Sequence, residues 1–230
     1  MTAIQAKSST GDVSFTVAQK EFENPPAGGS AKRVFDILFS LVAILSVLPF
    51  FLILPAVIYI VSPGPVFFSH KRIGFRGKSF PCLKFRTMVM DADRILEEHF
   101  ANNPDAREEF ERHRKLKNDP RIIPVIGSFL RKSSLDELPQ FINVFRGEMS
   151  VVGPRPLTLD ELRGYGEAAS RYKSARPGIT GLWQVSGRSD LTFCKRVELD
   201  SSYVSNCTLL TDVWLIAKTI GVLLSGRGAY

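Results

Sequence analysis

The sequence predicts a mixed α/β domain, mainly helical with a small sheet, attached to an N-terminal helix that enters a membrane and returns. Three observations predict it. The run Val34 to Val61 is apolar, is interrupted by prolines, and has basic residues on both sides. The segments on either side of Gly74 and Gly77 read as two short strands joined by a turn. Most of what remains has helical periodicity, punctuated by proline and glycine.

Composition narrows the partners. A chain of 230 residues is one domain, or one domain with an anchor, and buries a real core. It carries 30 Lys+Arg against 23 Asp+Glu, net +7, and the surplus is local. Residues 64–90 hold Lys71, Arg72, Arg76, Lys78, Lys84 and Arg86 and no acid. Such a patch suits nucleic acid, anionic lipid or a phosphorylated ligand. Its position directly after an apolar segment favours the membrane surface and phosphates. No helix-turn-helix or RNA-binding signature is present, so nucleic acid is not an expected partner. Cys82, Cys194 and Cys207 are widely spaced and form no CxxC pair, which argues against a disulfide framework or a zinc site. His70, His99 and His113 lie at no metal-ligand spacing and read as surface or packing residues.

The elements follow in order. Residues 1–30 are rich in Ser, Thr, Ala, Gly and Pro and read as a flexible tail. Residues 31–63 form the membrane segment. As one straight helix, Val34–Val61 would reach about 42 Å, more than a ~30 Å hydrocarbon core requires, so length alone favours an ordinary crossing. Pro49 and Pro55 argue against one, because Pro49 removes a backbone donor and crowds the carbonyl of Leu45. The break leaves two arms, each shorter than the ~20 residues a crossing needs. Basic flanks, Lys32-Arg33 before and Lys71-Arg72 after, draw both ends to the cytoplasmic side. A helix bent at Pro49 satisfies both constraints. Asp36 would sit at headgroup depth as a structural anchor, paired with Lys32 or Arg33 at helical spacing.

Residues 64–230 form the main domain. Val66-Phe-Phe68 and Ser79–Arg86 read as strands; Asp91 to about Lys117 reads as a charged helical stretch interrupted at Asn103-Pro104. Leu138, Phe141, Ile142 and Phe145 give one apolar helical face. A helix is expected from Pro156 through Leu162, then a glycine-bearing loop over Arg176–Arg188, then helices at Thr192–Tyr203 and Leu209–Leu224.

The densest chemistry lies at Arg131-Lys-Ser-Ser-Leu-Asp-Glu-Leu-Pro-Gln140 and at the Pro154-Arg155-Pro156 clip. Ser134 and Glu137 match a capping box, in which Asp136 and Glu137 are acids of a first helical turn and nothing more. On the helical wheel Asp136 falls nearly opposite the apolar face, pointing to a cleft, and this permits a catalytic role without requiring it. Arg155, held by proline on both sides, suits a preorganised phosphate ligand. Arg131 fits either phosphate binding or an interfacial position beside Lys132. Lys84 and Arg86 fit either a ligand site or a solvated strand face. Gln184 and Arg188 lie on a loop able to close over a nucleotide, and Trp183, Tyr203 and Trp214 read as core or interface aromatics.

Five motifs occur in one order: Lys32-Arg-Val-Phe-Asp36, Lys84-Phe-Arg-Thr-Met88, Ser134-Leu-Asp-Glu-Leu138, Gly153-Pro-Arg-Pro156 and Arg176-Pro-Gly-Ile-Thr-Gly181. In this the chain resembles, from about Ala31 to Leu224, the bacterial sugar transferases known as monotopic phosphoglycosyl transferases, and most of all those that begin exopolysaccharide synthesis. The resemblance implies transfer of hexose 1-phosphate, galactose or glucose, from a UDP-sugar to undecaprenyl phosphate. The setting it implies is the cytoplasmic face of the bacterial inner membrane, with residues 64–230 as the cytoplasmic catalytic domain carrying membrane-associated helices. It implies Asp136 as nucleophile, Glu137 as a ligand of Mg²⁺, and Arg131, Arg155, Lys84 and Arg86 as phosphate-binding residues. A homo-oligomer stays open. The family bends its membrane helix at Ser-Pro; here Leu48-Pro49 keeps only the proline, and Ser46 is the nearest substitute. A membrane-anchored regulatory module or an export scaffold would share the basic patch without needing either acid.

Overall fold

The computed structural model describes residues 25–113, 116–187 and 191–225. Helix α1 (Gly29–Ser46) and helix α2 (Leu48–Val61) meet at Val47 with a bend of 57°. Pro49 falls in the first turn of α2, where a missing N–H costs no hydrogen bond, so it starts a second arm instead of kinking a continuous one. Ser46 does not act as a substitute at the bend. Its hydroxyl donates to Val42 O at 2.8 Å within its own helix, because Val42 lies one turn back on the same face. Among the described residues no single helix is long and apolar enough to cross a membrane; the bent pair is, by length and composition.

Helix α1 is inverted relative to a helix of a water-soluble domain. Lys32, Asp36 and Ser40, at i, i+4 and i+8, are buried, while Leu38, Val42 and Leu45 are exposed. The buried polar stripe is satisfied from the domain beneath it. Asp36 accepts from Ser150 Oγ and from the Val151 N–H, each at 2.9 Å. Lys32 Nζ lies 2.5 Å from Asp212, and Arg33 donates to the Val144 and Phe145 carbonyls at 2.7 and 2.8 Å. The expected ion pair of Asp36 with Lys32 or Arg33 is therefore replaced. Both cations reach carboxylate or carbonyl partners far along the chain, and Asp36 is structural by docking α1 on a strand.

Strands β1 (Phe67–Ile73) and β2 (Ser79–Phe85) form an antiparallel hairpin in the register Phe67↔Phe85 to Ile73↔Ser79. Its turn places Arg76 at φ 58° and Gly77 at φ 74°. Helices α3 (Ala92–Asn102) and α4 (Pro104–His113) are split at Asn103, as the proline requires. Then come α5 (Ile126–Ser133), a single turn Leu135–Glu137, α6 (Gln140–Arg146) and β3 (Ser150–Val152). Helices α7 (Leu159–Arg163) and α8 (Ala168–Lys173) precede β4 (Gly178–Thr180), which pairs parallel to β3. Short α9 (Leu182–Ser186), α10 (Phe193–Asn206) and α11 (Leu209–Ser225) complete the order. The expected small sheet is thus two separate two-stranded sheets. The expected loop over residues 176–188 contains a strand and a helix.

One apolar core joins β2, α6, β3, α10 and α11 through Cys82, Val144, Met149, Val152, Tyr203 and Leu215. A second joins Leu54 and Ile58 of α2 to Phe85, Ile123 and Leu130. The bent helix pair is therefore packed into the domain at both arms. At the chain's entry to α1, the Ala27 N–H donates to Ser174 O at 2.9 Å.

Candidate active site

Strand β2 and the turn after α5 build the site. The Asn143 side chain accepts from Leu83 N at 3.0 Å and donates to Pro81 O at 2.8 Å, so α6 grips the edge of β2 as a neighbouring strand would. This fixes Lys84, whose Nζ lies 2.6 Å from Glu137 Oε1 and 3.5 Å from Asp136 Oδ2. One ammonium thus faces two adjacent carboxylates.

The capping-box reading of Ser134 fails. Ser134 has φ 57°, a left-handed residue that ends α5, and its side chain caps nothing. With that backbone the Glu137 N–H meets the Ser134 carbonyl at 3.2 Å, and the Glu137 carboxylate goes to Lys84. Among the described residues a complete capping box is formed instead by Thr158 and Glu161. The helical wheel also needs correction. Asp136 stands on an isolated turn; α6 begins only at Gln140, its buried face carries Gln140, Asn143 and Val144, and Phe145 is exposed. Asp136 is itself only 7% exposed.

Burial sets the electrostatics. It pushes the Asp136 carboxyl up; Lys84 pulls it back only in part, and the Glu137 charge adds to the rise. Burial pushes Glu137 up as well, but the Lys84 charge and hydrogen bond more than cancel this, leaving it below the ordinary range. Lys84 is pushed down by burial and then held above its ordinary value by Glu137 and Asp136. The site therefore contains a firmly charged lysine, a firmly ionised glutamate and an aspartate whose negative charge is the least stabilised of the three. Two like residues driven apart in this way are a mark of division of labour.

The other expected residues are distributed unevenly. Arg155 is half-buried, its guanidinium 5.8 Å from the Trp183 ring, and its positive charge acts on both Glu137 and Lys84. Arg131 acts electrostatically on Asp136. Arg86 is turned elsewhere: buried, it donates to the Ser62 carbonyl at the end of α2 and contacts Met90 Sδ at 2.9 Å. Gln184 donates to Ile179 O at 2.9 Å, bracing α9 against β4. Arg188 lies outside the described residues. Trp183 and Tyr203 are core residues, whereas Trp214 is half-exposed with Lys218 over its ring.

Arg72, which the sequence offers only as part of the basic patch and of the membrane flank, also reaches the site. It pairs with Glu161 at 2.9 Å and its charge reaches Glu137. The clip is seated where glycines allow backbones to touch. A Cβ on Gly178 or Gly181 would overlap the backbone of Gly153.

The model of the bacterial sugar transferase family matches residues 28–226, nearly all of the described chain and all the site residues above. The chain belongs to the bacterial sugar transferase family. Its relatives include the exopolysaccharide production protein ExoY of Rhizobium meliloti, 53% identical over 205 residues, or 89% of this chain and 90% of that protein. The undecaprenyl-phosphate galactose phosphotransferase of Salmonella typhimurium is 50% identical over 86% of this chain, which spans 41% of that longer protein. The UDP-glucose:undecaprenyl-phosphate glucose-1-phosphate transferase of Xanthomonas campestris is 36% identical over 87% of this chain and 40% of its own length.

Proposed function

We propose that this transferase moves hexose 1-phosphate, galactose or glucose, from a UDP-sugar to undecaprenyl phosphate as the first membrane step of exopolysaccharide synthesis. The observation that carries the reading is the placement of Asp136 and Glu137 against Lys84, within a chain that aligns along most of its length with ExoY. The substrates follow from the names of the galactose and glucose phosphotransferases to which it is similar.

In the mechanism, an Asp136 carboxylate oxygen attacks the phosphorus that bears the sugar. A P–O bond to Asp136 forms, the P–O bond to the uridine monophosphate breaks, and uridine monophosphate leaves with the bridging oxygen. A phosphate oxygen of undecaprenyl phosphate then attacks the same phosphorus and Asp136 departs as a carboxylate. Splitting the transfer gives each step a good leaving group. Burial supports this role, since a carboxylate poorly stabilised in its resting state loses little when it forms the bond. Lys84 offsets part of what burial costs the Asp136 carboxylate and would face the phosphoryl oxygens as they gather charge; Arg155 and Arg131 supply further positive charge around the acidic pair.

Mg²⁺ is implied by the family, and the donor set suits it. No group of three His, Cys, Asp or Glu is present among the described residues, but Mg²⁺ characteristically takes only one or two protein carboxylates and completes its shell with water and substrate phosphate. Glu137, the ionised and more accessible of the pair, would hold it, with Asp136 adjacent. When bound, the ion neutralises charge on the diphosphate.

The inverted burial of α1 and the bend at Val47 support a re-entrant, monotopic attachment, with the lipid acceptor delivered from the cytoplasmic leaflet of the inner membrane. A screen of UDP-hexoses with undecaprenyl phosphate, read as uridine monophosphate release from the purified full chain, tests the reading. Release with UDP-galactose or UDP-glucose that depends on the lipid is expected. Equal release without any lipid phosphate, or none with any UDP-hexose, would overturn it.

A further inference from the structure

The hairpin carries more than Lys84 on the face that meets the acidic pair. Residues directly opposite each other in an antiparallel pair share a face, with Cβ atoms about 5 Å apart. The register sets Phe68 opposite Lys84, His70 opposite Cys82 and Arg72 opposite Phe80. On β2 part of that face is closed, since Phe80 and Cys82 are buried in the core with Val144. On β1 it is open. Phe68 is 52% exposed and His70 is exposed, while Arg72 is held by Glu161 at 2.9 Å.

The two open side chains make one surface. The rings of Phe68 and His70 have centroids 6.4 Å apart and planes 20° from parallel. Rings so nearly parallel at that separation are offset, and together they present a broad π-face. Partial burial, and next the Arg72 charge, push the His70 imidazole below its ordinary range; Glu161 opposes this and Lys84 adds to it. The ring is therefore uncharged at neutral pH and free to stack as an aromatic.

The base of a UDP-sugar is a planar ring, and stacking on aromatic side chains is a general way to hold one. Other aromatic residues of the hairpin and clip are already engaged. Trp183 is buried, with Arg155 and Arg196 over its ring. Phe75 has Arg76 and Arg176 over its ring. Phe67, on the opposite face of the hairpin, stacks on Phe85. The Phe68–His70 pair joins an exposed π-face to a lysine that already faces the acidic pair.

We propose that Phe68 and His70 form the stacking platform for the nucleobase of the donor, holding the uracil beside Lys84 so that the diphosphate reaches the acidic pair. This rests on the reading of the donor as a UDP-sugar. The rival occupant of the same face is the chain of the lipid acceptor, because Phe68 follows closely on α2. A pair of rings flanked by Arg72 and Lys84 suits a nucleotide, whose base stacks and whose phosphates are anionic, better than an uncharged isoprenoid chain.

The test compares the full chain with Phe68→Ala, Phe68→Trp and His70→Ala. Calorimetry gives the Kd for uridine monophosphate, adenosine monophosphate and inorganic pyrophosphate, each with Mg²⁺, and turnover gives the KM for undecaprenyl phosphate. Phe68→Ala should weaken uridine monophosphate about 5- to 100-fold, the usual effect of removing one stacked ring, and leave pyrophosphate nearly unchanged. His70→Ala should act in the same direction by less, and Phe68→Trp, which restores a ring, should recover most of the binding. Uridine monophosphate binding that survives Phe68→Ala would overturn the proposal, and a raised KM for undecaprenyl phosphate in its place would assign the face to the lipid. Equal losses for uridine monophosphate and pyrophosphate would overturn it too, as would a wild type that binds no nucleotide. A wild type that prefers adenosine monophosphate, with the same dependence on Phe68, would refute the UDP-sugar donor and leave the platform standing.

Discussion

Lys32 and Asp212 form a buried ion pair between the first turn of α1 and the first turn of α11, 180 residues apart. Their side chains are 9% and 1% exposed, and Tyr203 completes the site by donating to Asp212 at 2.6 Å. Removing one member of such a pair leaves an uncompensated buried charge and costs about 3–5 kcal/mol, whereas replacing both by apolar groups is often close to neutral. Lys32→Met should therefore destabilise the chain strongly by stranding Asp212. Asp212→Leu should do so by stranding Lys32 and the Tyr203 hydroxyl. The double variant should recover most of the loss, short of the part owed to Tyr203. For a domain of this size, 1 kcal/mol corresponds to about 2–4 °C in Tm, so each single variant should melt roughly 6–20 °C below wild type. Thermal unfolding followed by circular dichroism in one detergent at one protein concentration measures it. Strictly additive shifts, with the double variant the least stable of all, would refute the claim that this pair couples α1 to α11.

Three further outcomes follow from the same contacts. Lys84 lowers the Asp136 carboxyl, so Lys84→Met should move the acid limb of the kcat/KM–pH profile to higher pH, besides lowering activity at every pH. An acid limb that stays in place would contradict the assignment. Burial raises Asp200 from 3.8 to about 7, against stabilising contacts from Tyr165 and Arg155, and Tyr172 also lies in its field. The folded chain then keeps a proton that the unfolded chain has released, so this group makes stability fall as pH rises from about 4 to 7, and Asp200→Asn should flatten that part of a denaturation–pH curve. Finally, single cysteines at Ser30 and Ser69, with the native cysteines replaced, should label from the same face of the membrane, because Ala27 and the hairpin pack on one domain. Labelling from opposite faces would establish a crossing.

Legibility followed the range of the interaction. The hairpin showed in the strands on either side of Gly74 and Gly77, the α3–α4 break in Asn103-Pro104, and α10 and α11 in their periodicity, because each depends on neighbours a few residues away. The acidic pair was legible by motif. Its partner was named only among several basic residues, since Lys84 reaches Glu137 across 53 positions. Ser134 shows the opposite error. Its spacing to Glu137 satisfies a local rule, but the packing of α5 puts it at φ 57° and the rule no longer applies. Strand alternation groups Arg86 with Lys84, yet β2 ends at Phe85 and Arg86 reaches the Ser62 carbonyl. The sequence marks Asp36 as structural, but its partners, Ser150 and Val151, lie more than a hundred residues away, beyond any local rule.

The central claim is that the Asp136 carboxylate takes the sugar phosphate. Incubating the full chain with Mg²⁺ and a UDP-hexose labelled in its sugar, with no lipid phosphate present, measures it most directly. The label should become attached to the protein, map to Asp136 by peptide mass spectrometry, and leave the protein when undecaprenyl phosphate is added. Asp136→Asn, which preserves size and has no carboxylate to form an acyl phosphate, should stay folded, take up no label, and lose turnover by several orders of magnitude. An Asp136→Asn protein that still acquires label, or still turns over at a comparable rate, would contradict the account.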